Sequence, residues 1–132
     1  MCKHLKLPIE IENKKNYDLI KISKVNYIKK LNYKIPSDIS SAAFFIVLTV
    51  LTKNSKILIK NVNVNPSRMG IIEILRKMGV KFFFKNKKDY RGETIADIIV
   101  KSTSKLKSIN CPKSLSSNAI DELLIIFLVI VS

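Results

Sequence analysis

Cysteine, histidine and arginine are scarce in this chain. Cys2 and Cys111 are its two thiols, far apart and without CxxC spacing, which gives neither a disulfide framework nor a zinc site. The single histidine, His4, has no partner set for a metal and reads as a surface or helix-end residue. Acidic residues are also few: Lys+Arg number 24 against 10 Asp+Glu, a net charge of +14. Only Arg68, Arg76 and Arg91 of those cations are arginines, and the lysines are scattered over turns and strand edges. Nucleic-acid binders gather charge on one face and add arginine forks or aromatics, so this pattern predicts no nucleic-acid partner. Heavy use of lysine, asparagine and isoleucine is what an AT-rich coding sequence produces, and anionic metabolites stay compatible with it. Long apolar runs are missing as well. The longest, Leu123 to Val131, falls well short of the roughly 20 residues that span a bilayer. Residues 1 to 8 lack the apolar core and cleavage site of a signal peptide, so the expectation is no membrane and a reducing cytoplasm.

What is present is enough apolar material for a core, 47% of 132 residues. Met1 to Lys6 reads as the last turn of a helix. Leu7 to Glu12 alternates apolar and polar residues as a half-buried strand does, and a polar turn at 13 to 17 leads to strands over Asp18–Val25 and Tyr27–Ile35. Residues 39 to 51 are apolar on nearly all sides, which predicts a helix buried in a domain centre. Lys56 to Val64 alternates again. Asn65-Pro66-Ser67 then opens a helix over Met69–Met78 that Gly79 closes. Further strands are expected over Val80–Phe84, Thr94–Lys101 and Leu106–Ile109, with a polar turn at Asn86–Gly92. A serine-rich stretch, SLSSN, leads to a last helix starting at about Asp121.

The segment LKLPIEIENKKNY at 5 to 17 aligns without a gap on MGVKFFFKNKKDY at 78 to 90, predicting a helix end, a strand and the same turn in each. Repeated units of this kind bury their apolar faces on one another. The order between the copies is strand, helix, strand, helix, strand, strand, in a mixed α/β (α+β) fold. Two aspartates, Asp38 and Asp121, stand at the mouths of the two most apolar runs. A carboxylate at a helix start is accounted for by capping alone, and it can also be a group held in place for proton transfer.

Several motifs bear on that choice. Ile35-Pro36-Ser37-Asp38-Ile39-Ser40-Ser41-Ala42-Ala43-Phe44-Phe45 resembles the V-P-G-D-I-S-S-A-A-F-F segment of the 5-enolpyruvylshikimate 3-phosphate (EPSP) synthase family, the 3-phosphoshikimate 1-carboxyvinyltransferases. Asn61 to Gly70 is similar to the family's N-V-x-x-N-P-x-R-T-G, and Ile120-Asp121-Glu122-Leu123 to its I-D-E-I. The resemblance continues through Ile71–Gly79 and Gly92–Ile98. It implies βαβαββ units of an inside-out α/β barrel, one complete unit here with parts of two others. Residues 1–37 would be the tail of one transferase domain and 38–132 the start of the second.

The resemblance further implies transfer of the enolpyruvyl group of phosphoenolpyruvate to the 5-hydroxyl of shikimate 3-phosphate, with no metal or organic cofactor. Asp121 would bind that hydroxyl and accept its proton, as both catalytic and substrate-binding residue. Asp38 is expected to be structural, and Arg68 to form a helix-surface salt bridge. Three positions depart from the family: Ser37 for a glycine, Met69 for a threonine and Leu124 for a proline. The first would strain the turn before Asp38 if left-handed backbone is required there. The family's lysine, N-A-G-T-A-x-R, S-A-Q and S-R-x-H-T-E segments would precede Met1, and K-E-x-x-R would follow Ser132. The expectation is therefore a central piece of the enzyme, inactive alone, whose exposed edges favour association with flanking pieces or with itself. Two other readings stay open: a UDP-N-acetylglucosamine enolpyruvyl transferase piece, and a basic module binding nucleic acid or protein.

Overall fold

A computed structural model describes residues 5, 7–28, 30, 32–112, 115 and 118–130. The expected helix end at Met1–Lys6, apart from Leu5, lies outside the described residues, as do Cys2 and His4. The chain divides into two units, Met1–Ile35 and Pro36–Ser132.

In the first unit, β1 (Ile9–Asn13) pairs antiparallel with β2 (Asp18–Ile22), Ile11 opposite Ile20. The backbone turns back at Lys14, whose amide donates to the Tyr17 carbonyl. Glu12 holds Lys21 at 2.6 Å and Lys14 at 3.0 Å, which keeps its carboxyl below the usual range, the Lys21 contact being the stronger cause. The strand expected over Tyr27–Ile35 is not formed among its described residues. Just after it, and already in the second unit, Ser37 makes an isolated bridge parallel to Val62, through Ser37 N to Asn61 O and Asn63 N to Ser37 O.

The second unit is built on a three-stranded antiparallel sheet with β5 (Glu93–Lys101) between β3 (Lys56–Asn63) and β4 (Phe82–Tyr90). Ala96, Ile98 and Val100 alternate along β5 and are buried, as a strand with one covered face requires. The covering helices are α1 (Ile39–Leu51) and α2 (Gly70–Lys77), followed late in the chain by α3 (Leu123–Ile130). On α2, Ile71, Ile74 and Leu75 face inward while Glu73 and Lys77 do not. Arg76 lies over the rings of Phe84 and Phe82, 5.1 and 5.9 Å away. The helix ends as the sequence predicts. Gly79 takes φ 103°, and the amides of Val80 and Gly79 return to the carbonyls of Leu75 and Arg76, a Schellman closure.

Four expectations need correction. The polar turn expected at Asn86–Gly92 is strand as far as Tyr90: Asn86 (φ 52°) is a bulge, and the reversal is the two-residue Arg91-Gly92 loop, both at positive φ. The two aligned NKK segments therefore do different things, turning at 14 to 17 and bulging at 86 to 87. Leu106–Ile109 is not a strand, since its register offers only the Lys107 amide to the Met78 carbonyl. Finally, α1 is not buried all round: Phe44, Phe45 and Leu48 stay more than half exposed, because the sheet covers one side of the helix only.

Candidate functional site

Three chain segments meet at the start of the helices of the second unit. The first is Ser37–Ser41. Asp38, in extended backbone at φ −76° and ψ 137°, caps α1: its Oδ2 accepts from the Ser41 amide at 2.9 Å and the Ser41 hydroxyl at 3.1 Å. Those bonds, the amide first, outweigh partial burial and hold the carboxyl below its ordinary range, with smaller help from Ser40 and the Arg68 charge. Capping thus accounts for Asp38, as expected. Ser37 is not at positive φ. It sits in its bridge to Val62 and donates its hydroxyl to the Lys60 carbonyl, so the serine that replaces glycine brings no strain.

The second segment is Asn63–Gly70. Asn65 precedes a 3-10 turn over Pro66–Arg68, and its Oδ1 accepts from the Thr94 amide at 2.9 Å. Asn63 closes the same corner by accepting from the Asn65 amide and donating to Glu93. The asparagines of this motif therefore fix a β-to-α connection. Arg68 is exposed, and among the described residues it makes no ion pair, contrary to the expected salt bridge. Its charge is felt at Asp38 instead.

Third comes Asn118–Glu122. At Gly70 a Cβ would lie 2.4 Å from the Asn118 carbonyl oxygen and 2.8 Å from the Ala119 nitrogen. Only glycine lets the α2 start and this segment approach so closely. Ala119 is fully buried, and Ile120–Glu122 form a 3-10 turn leading into α3. Glu122 is buried, 6% exposed, and accepts from the Ser40 hydroxyl in the first turn of α1 at 2.5 Å.

Asp121, the residue expected to carry the chemistry, lies between the buried groups Ala119 and Glu122 and is itself exposed. Among the described residues, grooves of about 1150 and 780 Å³ open in the unit, and Asp121 lines neither of these. The geometry can hold a carboxylate at the surface, since the segment before Asp121 packs closely on Gly70 and the Glu122 side chain after it is tied to Ser40. Glu122 and Ser40, which do the tying, were not marked by sequence reasoning. Both stand inside the motifs that were, next to Asp121 and two residues after Asp38. Among the described residues there is no group of three or more His, Cys, Asp or Glu that could hold a metal. None of the described helices is long and apolar enough to cross a membrane.

Comparison with known proteins follows the same residues. The sequence model of the EPSP synthase family, described as EPSP synthase (3-phosphoshikimate 1-carboxyvinyltransferase), matches residues 1–94. The 3-phosphoshikimate 1-carboxyvinyltransferase of Thermoanaerobacter sp. (strain X514) is 49% identical over 92 residues, 70% of this chain and 22% of that protein. The one from Legionella pneumophila (strain Corby) is 40% identical over 128 residues, 97% of this chain and 28% of its own length. The family match stops short of Asp121, whereas an alignment over 128 of 132 residues takes it in. Among solved structures, EPSP synthase from Acinetobacter baumannii superposes with a TM-score of 0.76 at 36% identity, covering 92% of this chain and 27% of that one. This chain spans about a quarter of the length of the relatives it matches. The mixed α/β unit, the asparagine-tied β-to-α corner and the acidic turn before α3 thus sit in a chain that belongs to the EPSP synthase family.

Proposed function

We propose that the chain supplies the Asp121 turn of an enolpyruvyl transferase acting on phosphoenolpyruvate and shikimate 3-phosphate. The observation that carries the proposal is the exposed Asp121 carboxylate, next to Glu122, whose buried side chain is anchored by the partly buried bond from Ser40. A base must accept the proton of the attacking hydroxyl without first being reoriented, and a rigid turn provides that. In this role Asp121 takes the proton from the 5-hydroxyl of shikimate 3-phosphate as its oxygen bonds to C2 of phosphoenolpyruvate, whose methylene carbon is protonated. Loss of phosphate from C2 of the resulting adduct, together with a proton from the new methyl carbon, then restores the double bond as an enol ether. The division after Ile35 supports assigning residues 1–37 and 38–132 to two domains of the complete enzyme. The same reading places its work in aromatic amino acid biosynthesis in the cytoplasm.

Positioning and charge stabilisation act together, so a chain covering a quarter of its relatives is expected to show no turnover alone. Grafting residues 36–130 over the matching segment of the Acinetobacter baumannii enzyme tests the role directly. The chimera should transfer the enolpyruvyl group. Asp121→Asn in it should lower kcat by about 10²–10⁴-fold while KM changes little. An active chimera indifferent to Asp121→Asn would remove Asp121 from the mechanism, and turnover by the isolated 132-residue chain would overturn its dependence on the rest of the enzyme.

A further inference from the structure

The face of the sheet turned away from the helices gathers positive charge. The groove of about 780 Å³ lies on it, with Lys56 and Lys60 of β3 on one side, Lys85, Lys87 and Lys88 of β4 on the other, and β5 between them. Lysine makes up five of its ten lining residues against 21 of the 132 in the chain, an enrichment beyond what the lysine-rich composition supplies. All five are exposed, and among the described residues none of them forms a salt bridge. The one carboxylate in the groove, Asp97, is already engaged, its oxygens accepting from the Asn61 amide and the Asn86 side chain. Leu58 and Ile99, paired across β3 and β5, supply the apolar part of the lining. Ammonium groups belong in water, so this face needs no cover, but five of them around one carboxylate leave a concentrated positive excess.

The strands set the shape of what fits. β3 and β4 both neighbour β5, so their lysine rows stand two strand spacings apart, ~9.5 Å, and Lys56 to Lys60 runs ~13 Å along the sheet. An anion midway over β5 is within the ~8 Å Debye length of both rows, so both act on it. An extended peptide sends successive side chains to opposite sides. A run of consecutive Asp or Glu laid along β5 therefore offers carboxylates to both rows at once. A single-stranded nucleic acid has one row of phosphates and would turn its bases to the second lysine row, where no aromatic side chain lines the groove to stack on them. Phe83 is a lone ring on this face, opposite Ile99 and outside the lining. A duplex has its own groove between its phosphate rows, so recess would face recess. We propose that this face of the sheet binds an acidic segment of another polypeptide, a run of consecutive Asp or Glu residues lying over β5 between the lysines of β3 and β4. The inference stands on charge and strand geometry, independently of the role given to Asp121.

Fluorescence anisotropy of a labelled octaglutamate peptide, titrated with the full 132-residue chain, tests it. Saturable binding is expected at 0.05 M NaCl, weakened about tenfold or more at 0.5 M because exposed ion pairs are screened. The double variant Lys60→Glu/Lys85→Glu removes two attractive pairs and adds two repulsive ones, and should weaken binding about tenfold or more. Lys105→Glu/Lys107→Glu makes the same change in net charge at the other groove and should leave the affinity within about twofold. Unchanged far-UV circular dichroism verifies that each variant is folded. The wild-type amide resonances give a readout that needs no substitution: octaglutamate should shift those of Lys60, Lys85 and Ile99 and leave that of Leu75, buried on α2, in place. No saturable binding, equal loss in the two double variants, or shifts centred away from the groove would each overturn the proposal. So would an oligonucleotide of eight thymidines binding as tightly as octaglutamate, which would make the face a phosphate site instead.

Discussion

At the scale of single residues, two positions decide whether the helix starts hold. Asp38 caps α1 through the Ser41 amide and hydroxyl, so Asp38→Ala should cost about 1 kcal/mol of stability at neutral pH. Its folded pKa lies below the unfolded one. The contribution is therefore complete above the unfolded value of ~3.9 and is lost as pH falls through the lower folded value. Denaturant titrations should show wild type and Asp38→Ala converging in acid, and an equal gap at pH 7 and in strong acid would contradict the cap. Gly70 acts by having no side chain. An alanine there gains at most ~1 kcal/mol of helix propensity, against overpacking of ~1–3 kcal/mol on the Asn118 and Ala119 backbone. The clash wins because its partners are main-chain atoms. Gly70→Ala should lower the denaturation midpoint, and an unchanged or raised midpoint would mean that the two segments separate without cost.

At the scale of elements, the carboxylate of Asp97 joins two irregularities. It accepts from the Asn61 amide at 2.8 Å and the Asn86 side chain at 2.7 Å, spanning the bulges of β3 and β4 from the strand between them. These bonds, that from Asn61 foremost, depress its pKa. Asp97→Ala should make the Asn61 amide exchange severalfold faster by NMR while Val64, bonded to the Thr94 carbonyl, keeps its protection. Equal loss at both would point to general unfolding of the sheet. The bulges also explain what the sequence could and could not say. The helical spacing in Gly70–Lys77 and the alternation in β3 and β5 are local patterns, and they were legible. Asn86-Lys87-Lys88 looks like a turn until the register against β5 is known, because a bulge is a property of two strands. The Lys-rich stretch after Tyr27 alternates like a strand, yet its described residues form none, because strand pairing depends on a distant segment that alternation does not reveal. For the candidate site, Asp121 was legible through its motif. The bond that anchors its turn was not, since it joins Ser40 to Glu122 across 82 residues.

At the scale of the whole molecule, the two units differ in what holds them. The second owns the core: Ile46, Ile71, Leu75, Ile98 and Val100 are essentially inaccessible, contributed by α1, α2 and β5. In the first, no described residue is buried, and Ile11, Ile20 and Ile22 of the hairpin are 58–69% exposed. A two-stranded hairpin without a covered face is marginal in water. The salt bridges of Glu12 are exposed and add little to it. Local opening should therefore be nearly free in β1 and β2, and should approach the global unfolding free energy in β5. Native-state hydrogen exchange distinguishes the two by amide. Ile11 and Ile20 are expected to exchange close to the rate of an unstructured peptide, while Ile98 and Val100 exchange only through global unfolding and slow further when the protein is stabilised. Comparable protection in both units would show that the hairpin gains a cover in solution, and the family role proposed for residues 1–37 would then concern a folded element of this chain.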